Sequence, residues 1–377
     1  MFTAKAFIEE AQNLTGLDDF GEDGWSEGLK ALVHSINEDA SINRQGEEVF
    51  HKRCMENLVN RLKVVDWVNQ YPEIRNESIR RPFIITGLFR SGTTILNNLL
   101  AQDPKNRPLI RWESLDSIPP PKKGSFDTDP RALKRKQDII NTFKKFPDRK
   151  SIHYEPHNGS TECLVLLEQD FRGYRSSFLF QVPSYNRWLH ECDMTSAYAY
   201  HKMVLQILQS KAPGRWSLKA PSHLLALKAL TATYPDAHLI FTHRDIVKVV
   251  GSTLSLAKYG GGDLLTNIDR SQYIREEWLN NLEVMVKRMM SFRDHCRYQK
   301  IYDFKYNEFM KEPIGSIRDM YDSFDEELTP DAETAMKTFL SENPKNRHGK
   351  HDYTLEDFGV STEKITERFS EYVNAYL

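Results

Sequence analysis

The chain has 377 residues, of which 40% are hydrophobic and 28% charged, a composition typical of soluble globular proteins. A formal net charge of −2 argues against general affinity for nucleic acids or membranes, so any anion site must be built from a few well-placed basic residues. No apolar run is long enough for a transmembrane helix, and the N-terminus does not resemble a signal peptide. We therefore expect a cytoplasmic protein without stable membrane insertion.

Residues 1–80 predict a helical N-terminal segment. From Glu48 to Tyr71, apolar residues recur among charged ones, which is typical of an amphipathic helix that packs on a core. Phe83 to Thr86 then predicts a strand, and a glycine-containing loop joins it to a helix in which Ile95 and Leu99 lie four residues apart. This is a strand-loop-helix unit.

Residues 102–201 predict an insertion with many proline and glycine breaks, and helical patterns return at Thr161 to Phe171 and at Thr195 to Ser210. A basic cluster between Arg131 and Lys145 is interleaved with apolar residues at helical spacing, which favours a solvated helix face over a binding patch. Aromatic residues of the insertion could line an apolar acceptor cavity, although most aromatic residues in any chain are ordinary core. The candidates are Trp112, Phe178, Phe180, Tyr185, Trp188 and Tyr198.

The second half of the chain alternates strands and helices. Strands are predicted at Trp216 to Lys219, His238 to Thr242 and Lys300 to Tyr306, with helices at Ser222 to Tyr234 and from Ile246 onward. Such alternation predicts an α/β fold with a parallel sheet flanked by helices on both faces. Without a repeat or a long linker, residues 1–377 are expected to form a single domain.

The sequence offers little for a metal ion. The four cysteines are far apart and form no Cys-x-x-Cys pair, which predicts reduced thiols. His153 and His157 have a ligand spacing only if helical, and Pro156 predicts a loop there. We expect no metal.

The loop from Gly87 to Thr94, GLFRSGTT, has the glycine spacing of a phosphate-binding loop, but Thr93 stands where that loop carries lysine. Backbone N–H groups of such a loop wrap a phosphate, and the lysine reaches the distal phosphates of a nucleoside triphosphate. Here Arg90 instead places a guanidinium inside the loop. This pattern favours a ligand with one terminal oxyanion group over a triphosphate.

A second candidate anion site follows the strand His238 to Thr242. Arg244 lies at the carboxyl end of this strand, where ligands of open α/β sheets bind, and Ser252 lies two helical turns further on. The two side chains could hold the same phosphate. The alternative is a structural salt bridge for Arg244 and a plain helix position for Ser252.

These residues resemble those of the sulfotransferases that use 3'-phosphoadenosine 5'-phosphosulfate (PAPS), particularly their bacterial branch. The loop FRSGTT is similar to their 5'-phosphosulfate loop. Arg244 and Ser252 are similar to the pair of residues that holds the 3'-phosphate in this family. The segment from Trp216 to His223 resembles their strand end with a lysine and a catalytic histidine. The resemblance runs from about Arg81 to Gly359, with Arg90 replacing the lysine of the better-known animal enzymes.

The resemblance implies a P-loop NTPase-like sulfotransferase fold and in-line transfer of a sulfuryl group from PAPS, with adenosine 3',5'-bisphosphate as the product. The acceptor would be a hydroxyl or amine of a small or lipid-like molecule. Cations at Arg90 and Lys219 would stabilise the leaving oxygen, His223 would act as the base, and Glu162 would orient or replace it. The implied donor-binding residues are Arg90, Ser91, Gly92, Thr93, Thr94, Arg244, Ser252, Tyr306, Arg347, His348, Gly349 and Lys350.

Two other functions stay open at this stage. A P-loop kinase with an unusual loop would bind ATP with magnesium, and a non-catalytic protein of the same fold would bind nucleotide without turnover. The sequence leaves the acceptor, the choice between His223 and Glu162 as base, and the oligomeric state open.

Overall fold

The computed structural model describes residues 1–145, 156–266, 269–344 and 354–377. Within these ranges, five strands form one sheet in the order β2-β3-β1-β4-β5, and every neighbouring pair is parallel. The strands are β1 (Phe83–Gly87), β2 (Asn106–Pro108), β3 (Arg215–Lys219), β4 (His238–His243) and β5 (Ile301–Lys305). Parallel pairing brings the carboxyl ends of all strands to one edge of the sheet.

The helices lie before, between and after the strands. The N-terminal segment contains α1 (Ala4–Thr15), α2 (Gly24–Glu38) and α3 (Arg44–Gln70). Between β1 and β3 lie α4 (Thr93–Leu100), α5 (Arg111–Leu115), α6 (Pro130–Lys145), α7 (Leu164–Glu168), α8 (Arg175–Leu179), α9 (Pro183–Glu191) and α10 (Thr195–Gln209). After β3 follow α11 (Leu227–Thr233), α12 (Ile246–Gly260), α13 (Ser271–His295), α14 (Tyr306–Lys311), α15 (Pro313–Ser323), α16 (Pro330–Glu342), α17 (Thr362–Arg368) and α18 (Ser370–Tyr376).

The sheet separates two apolar clusters because alternate strand residues point to opposite faces. In β1, Phe83 and Ile85 pack with α4 and the helices after β5, whereas Ile84 packs with the larger cluster on the other face. That larger cluster includes buried residues of α1, α2 and α3, among them Leu58 and Leu62. The predicted α/β fold with helices on both faces is therefore confirmed, and the N-terminal helices share the core of the sheet.

The structure differs from the sequence analysis in three details. The edge strand β2 was not predicted, because it is only three residues long and contains Pro108. The helix expected from Ser222 to Tyr234 is a 3-10 turn, Pro221–Leu225, followed by α11, and Ala226 between them has a non-helical backbone, with φ −146° and ψ 44°. The helix expected around residues 161–171 is limited to α7.

Candidate active site

The loop from Gly87 to Thr94 joins β1 to α4 at the carboxyl edge of the sheet, and it depends on two glycines. Gly92 has φ +104°, and a Cβ atom there would meet the Tyr306 ring at 2.6 Å. At Gly87, φ is +153° and a Cβ would lie 2.3 Å from Oγ1 of Thr242. The loop shape is therefore available only to glycine at both positions, which leaves the backbone close to whatever the loop holds.

Ser91 fixes the loop from inside. Its side chain is 1% exposed, and its hydroxyl donates a 2.6 Å hydrogen bond to the carbonyl of Leu88. The same Oγ lies 2.6 Å from Oγ1 of Thr242 on β4. Arg90 takes a left-handed conformation, φ +67°, and is exposed. The resemblance assigned Ser91 to donor binding, and the structure uses both its hydroxyl and its N–H within the loop, since the N–H also donates to the carbonyl of Leu88, at 3.2 Å.

The two candidate anion sites meet in one place. Nε of Arg90 donates a 3.0 Å hydrogen bond to Oγ of Ser252, and Nη1 of Arg244 donates a 2.7 Å bond to the carbonyl of Arg90. The guanidinium of Arg244 also lies 4.4 Å from the centre of the Tyr306 ring. Within the described ranges, the buried Nε of Arg244 has no hydrogen-bond partner. A buried guanidinium N–H needs an acceptor, and an anionic ligand would supply it.

Lys219 connects the loop to a carboxylate. Its Nζ, at the end of β3, lies 2.8 Å from Oε1 of Glu162 and 3.3 Å from Oγ1 of Thr94 at the start of α4. The Glu162 segment is held against the sheet because the N–H of Cys163 donates to the carbonyl of Lys219 at 2.8 Å. The Lys219 side chain is 1% exposed and that of Glu162 is 20% exposed. Glu162 thus presents a carboxylate to the adjoining cleft with an ammonium group behind it.

His223 is not among the residues that line this cleft, and its predicted role as base stays a prediction. It is fully buried in the 3-10 turn after β3, and its Nδ1 lies 2.8 Å from the hydroxyl of Tyr198. The other ring nitrogen, Nε2, is buried without a partner in the described ranges. Burial lowers the pKa of His223 well below its usual range, and the nearby His201 adds to this effect.

A cleft of about 350 Å³ opens beside Glu162, a size suited to a small-molecule ligand. Its walls are mainly apolar, with arginines among them. The lining residues are Arg53, Phe89, Arg111, Thr161, Glu162, Leu164, Val165, Arg175, Phe178, Leu179, Leu256, Tyr259 and Gly260. Of the aromatic residues proposed from the sequence, Phe178 alone is among them; Trp112, Phe180, Tyr185 and Tyr198 are core residues and Trp188 packs against the core.

Several cleft residues come from outside the predicted insertion. Arg53 belongs to α3, Phe89 to the loop, and Leu256 and Tyr259 to α12. Arg53 looks like any charged residue of an amphipathic helix, so no sequence signal distinguishes it. Its place in the cleft follows only from how α3 packs on the rest of the chain.

The remaining sequence predictions concern the C-terminal stretch, metals and membranes. The predicted donor residues Arg347, His348, Gly349 and Lys350 lie outside the described residues. Across the residues that the structure describes, no group of three His, Cys, Asp or Glu side chains is arranged to hold a metal ion. None of the helices in these same ranges combines the length and apolarity needed to cross a membrane.

Comparison with known proteins identifies the family of this chain. The profile of the Sulfotransferase family matches residues 82–330. The crystal structure of sulfotransferase STF9 from Mycobacterium avium is 32% identical, with 100% of this chain and 97% of that chain covered and a TM-score of 0.91. The crystal structure of sulfotransferase STF1 from Mycobacterium tuberculosis H37Rv is 31% identical, with 98% of this chain and 99% of that chain covered and a TM-score of 0.88. Among curated protein sequences there is no significant match.

The fold and the loop at its sheet edge therefore define a transferase with a P-loop-like architecture. The chain belongs to the sulfotransferase family, and the similarity to STF9 and STF1 confirms the resemblance to bacterial members that the motifs indicate.

Proposed function

We propose that this protein transfers the sulfuryl group of PAPS to a hydroxyl or amine of a largely apolar acceptor, with Glu162 as the base. The observation that carries this proposal is the position of Lys219, whose Nζ contacts both Thr94 of the loop and Glu162 of the cleft. One cation thus links the place suited to an anionic donor with the carboxylate that faces an acceptor.

The residues of the donor site fit a nucleotide with a 5'-phosphosulfate and a 3'-phosphate. The loop around Gly87 and Gly92 has room only for backbone, so the N–H groups at the start of α4 are left to face an oxyanion. Arg244, with its unpartnered Nε, and Ser252 would hold the 3'-phosphate, and Arg90 lies between the two groups. This arrangement supports the sequence assignment of these residues, as does the packing of Tyr306 against the loop.

When bound, PAPS would supply the sulfuryl group and the bisphosphate leaving group. Lys219 and Arg90 would place positive charge near the oxygen on which negative charge develops, in a partly dry site where such charge is most effective. Glu162 would accept the proton of the acceptor hydroxyl, since its carboxylate lies at the wall of the cleft. The salt bridge with Lys219 would keep the Glu162 carboxylate oriented.

The structure gives little support to the two alternative functions. A kinase would need the loop lysine, which this chain lacks. Thr93 stands in its place, at the start of α4, and is buried. A purely nucleotide-binding role leaves unexplained why a carboxylate and an ammonium group are paired beside an apolar cleft. Sulfuryl transfer accounts for the loop, the ion pair and the cleft together.

The experiment that tests this proposal is a calorimetric comparison of adenosine 3',5'-bisphosphate with ADP, in EDTA. The bisphosphate should bind and ADP should bind much more weakly, because Arg244 and Ser252 are placed for a 3'-phosphate that ADP lacks. Equal affinity for the two nucleotides would overturn the assignment of PAPS as donor. Formation of a sulfated product from PAPS and a hydroxyl acceptor would then separate catalysis from mere binding.

A further inference from the structure

The acceptor cleft contains a guanidinium whose donors are only partly used. Arg53 reaches the cleft from α3, with its side chain 16% exposed. Its Nη2 donates a 2.6 Å hydrogen bond to Oε2 of Glu168, which is the hydrogen-bond partner that the structure shows for this side chain among the described residues. A guanidinium carries five N–H donors in a planar fork, so Arg53 retains donors that a ligand can use.

Glu168 holds this arginine in a fixed position. Its second carboxylate oxygen, Oε1, accepts a 3.0 Å hydrogen bond from the N–H of Ser176 in α8. The side chain of Glu168 is 6% exposed, so the pair with Arg53 is largely shielded from water. Arg53, α7 and α8 are thereby tied together, and Arg175 at the start of α8 lines the same cleft as Arg53. A fixed guanidinium binds a carboxylate with little further loss of side-chain entropy.

The distance between the two ends of the cleft follows from α7. Glu162 lies two residues before α7 and Glu168 is the last residue of this helix, so the length of the helix, roughly 7.5 Å at a rise of about 1.5 Å per residue, separates the two carboxylates along the chain. Between them the wall is apolar, with Leu164 and Val165 among its residues. An acceptor whose hydroxyl meets Glu162 would therefore cross apolar surface before it reaches Arg53.

The charges of the cleft favour an anion at the Arg53 end. Its lining contains three arginines, Arg53, Arg111 and Arg175, and a single carboxylate, Glu162. Glu168 offsets one of these cations and Lys219 offsets Glu162. The ionisable side chains of the lining thus include more cations than anions, and apolar walls strengthen the attraction of such cations for an anion because they exclude water.

From this arrangement we infer that the acceptor is an apolar hydroxy acid, with its hydroxyl at Glu162 and its carboxylate at Arg53. This inference rests on the proposed function for the identity of the reacting end. Arg53 is then a specificity-determining residue supplied by the N-terminal helices, which lie before the region matched by the family profile.

The test is a binding experiment that needs no turnover. Calorimetry would measure 3-(4-hydroxyphenyl)propionate and its methyl ester, each with and without saturating adenosine 3',5'-bisphosphate. The acid should bind more tightly than the ester by on the order of tenfold, since the ester keeps the apolar body and loses the charge. Equal affinity, tighter binding of the ester, or no binding of either compound would overturn the inference.

Variants assign the effect to Arg53. Replacing Arg53 alone would leave Glu168 buried without its cation, so the variant of choice is the double substitution Arg53→Gln with Glu168→Gln, which removes both charges. The preference for the acid should disappear in this variant, while Arg80→Gln, an exposed change just before β1, should keep it. A preference that survives the double substitution would also refute the inference. Failure of the bisphosphate to bind would instead count against the proposed function, because the comparison without nucleotide stands on its own.

Discussion

Nζ of Lys219 lies 2.8 Å from Oε1 of Glu162, and the lysine is nearly inaccessible whereas the carboxylate borders the cleft. In the proposed reaction the two partners would face different substrates. Lys219 also contacts Thr94 of the glycine loop, on the donor side. Donor and acceptor would therefore meet at the Lys219–Glu162 pair, where β3 ends beside the Glu162 segment.

The first prediction separates Glu162 from His223 as the base. Glu162→Gln, which keeps the size of the side chain, should lower turnover by roughly 10²–10⁴-fold, the usual contribution of a general base. Affinity for adenosine 3',5'-bisphosphate should change little, because Glu162 lines the acceptor cleft. Steady-state kinetics with PAPS and calorimetry with the bisphosphate measure the two effects.

The matched control is His223→Asn, which keeps a polar atom near the hydroxyl of Tyr198. Its turnover should stay close to that of the unmodified protein, since His223 is enclosed on all sides. An inactive, folded His223→Asn together with an active Glu162→Gln would restore the roles that the sequence resemblance suggests.

The second prediction concerns the 3'-phosphate. Arg244→Ala removes a charged hydrogen-bond donor and should cost about 1.5–3 kcal/mol of bisphosphate binding, which is tenfold or more in affinity. Adenosine 5'-phosphosulfate, which lacks the 3'-phosphate, should lose much less affinity. Calorimetry with both nucleotides gives the comparison, and an equal loss for both would indicate that Arg244 acts only by supporting the carbonyl of Arg90.

The third prediction tests the glycine loop. Gly92→Ala should abolish most donor binding, because φ is +104° and the new Cβ would meet the Tyr306 ring at 2.6 Å. Gly124→Ala is the matched control: φ is +85°, but no atom lies within 4 Å of the added Cβ. Both variants should lose on the order of 1–3 kcal/mol of stability from backbone strain. Only Gly92→Ala should lose bisphosphate affinity, and normal binding by this variant would argue against the loop as the donor site.

The strands around the site could be predicted from the sequence because they are short apolar runs followed by polar residues at the sheet edge. Gly87, Arg244 and Lys219 each follow or end such a run, and the parallel register then brings them together. The pairing of Glu162 with Lys219 could not be predicted, since it depends on the hydrogen bond between the N–H of Cys163 and the carbonyl of Lys219. That contact joins segments that are far apart in the chain.

The burial of His223 could not be predicted from the sequence either. Its surroundings, SLKAPSHLL, are compatible with a histidine that faces either a cleft or the core. The 3-10 turn at Pro221–Leu225 rotates the side chain toward Tyr198 rather than outward, whereas a regular helix was expected there. The place of Arg53 in the cleft is a further example, because it depends entirely on the packing of α3.

The fourth prediction concerns stability at low pH. Burial lowers the pKa of His201 to about 3, and that of His223 falls well below its usual range. Below a pH of about 6.5 the unfolded chain binds protons that the folded chain cannot bind, so stability is full above that pH and is lost as pH falls. Each buried histidine should cost about 2 kcal/mol between pH 7.5 and 5.

Urea unfolding at these two pH values measures the loss. His223→Asn removes one of the titrating groups, so the difference in unfolding free energy between pH 7.5 and 5 should become smaller by about the same amount. His34→Asn, a change at an exposed position, is the control and should leave the difference unaltered. An unchanged pH dependence in His223→Asn would mean that His223 is protonated in the folded state.

The last prediction extends the donor site to the C-terminal helix. The hydroxyl of Tyr372 in α18 lies 3.1 Å from Nδ1 of His243, the residue before Arg244. Burial raises the pKa of Tyr372, and hydrogen bonding with the backbone N–H of Arg244 acts to lower it. Tyr372→Phe keeps the ring and removes this link, so it should weaken bisphosphate binding by about 0.5–1.5 kcal/mol through a less well fixed Arg244.

Tyr376→Phe is the matched control, because Tyr376 stacks on His243 with ring centres 4.6 Å apart and needs no hydroxyl for that contact. Calorimetry on the two variants decides the matter: a loss in Tyr372→Phe alone supports a positioning role for Tyr372, whereas equal affinities would show that the C-terminal helix contributes only to the core.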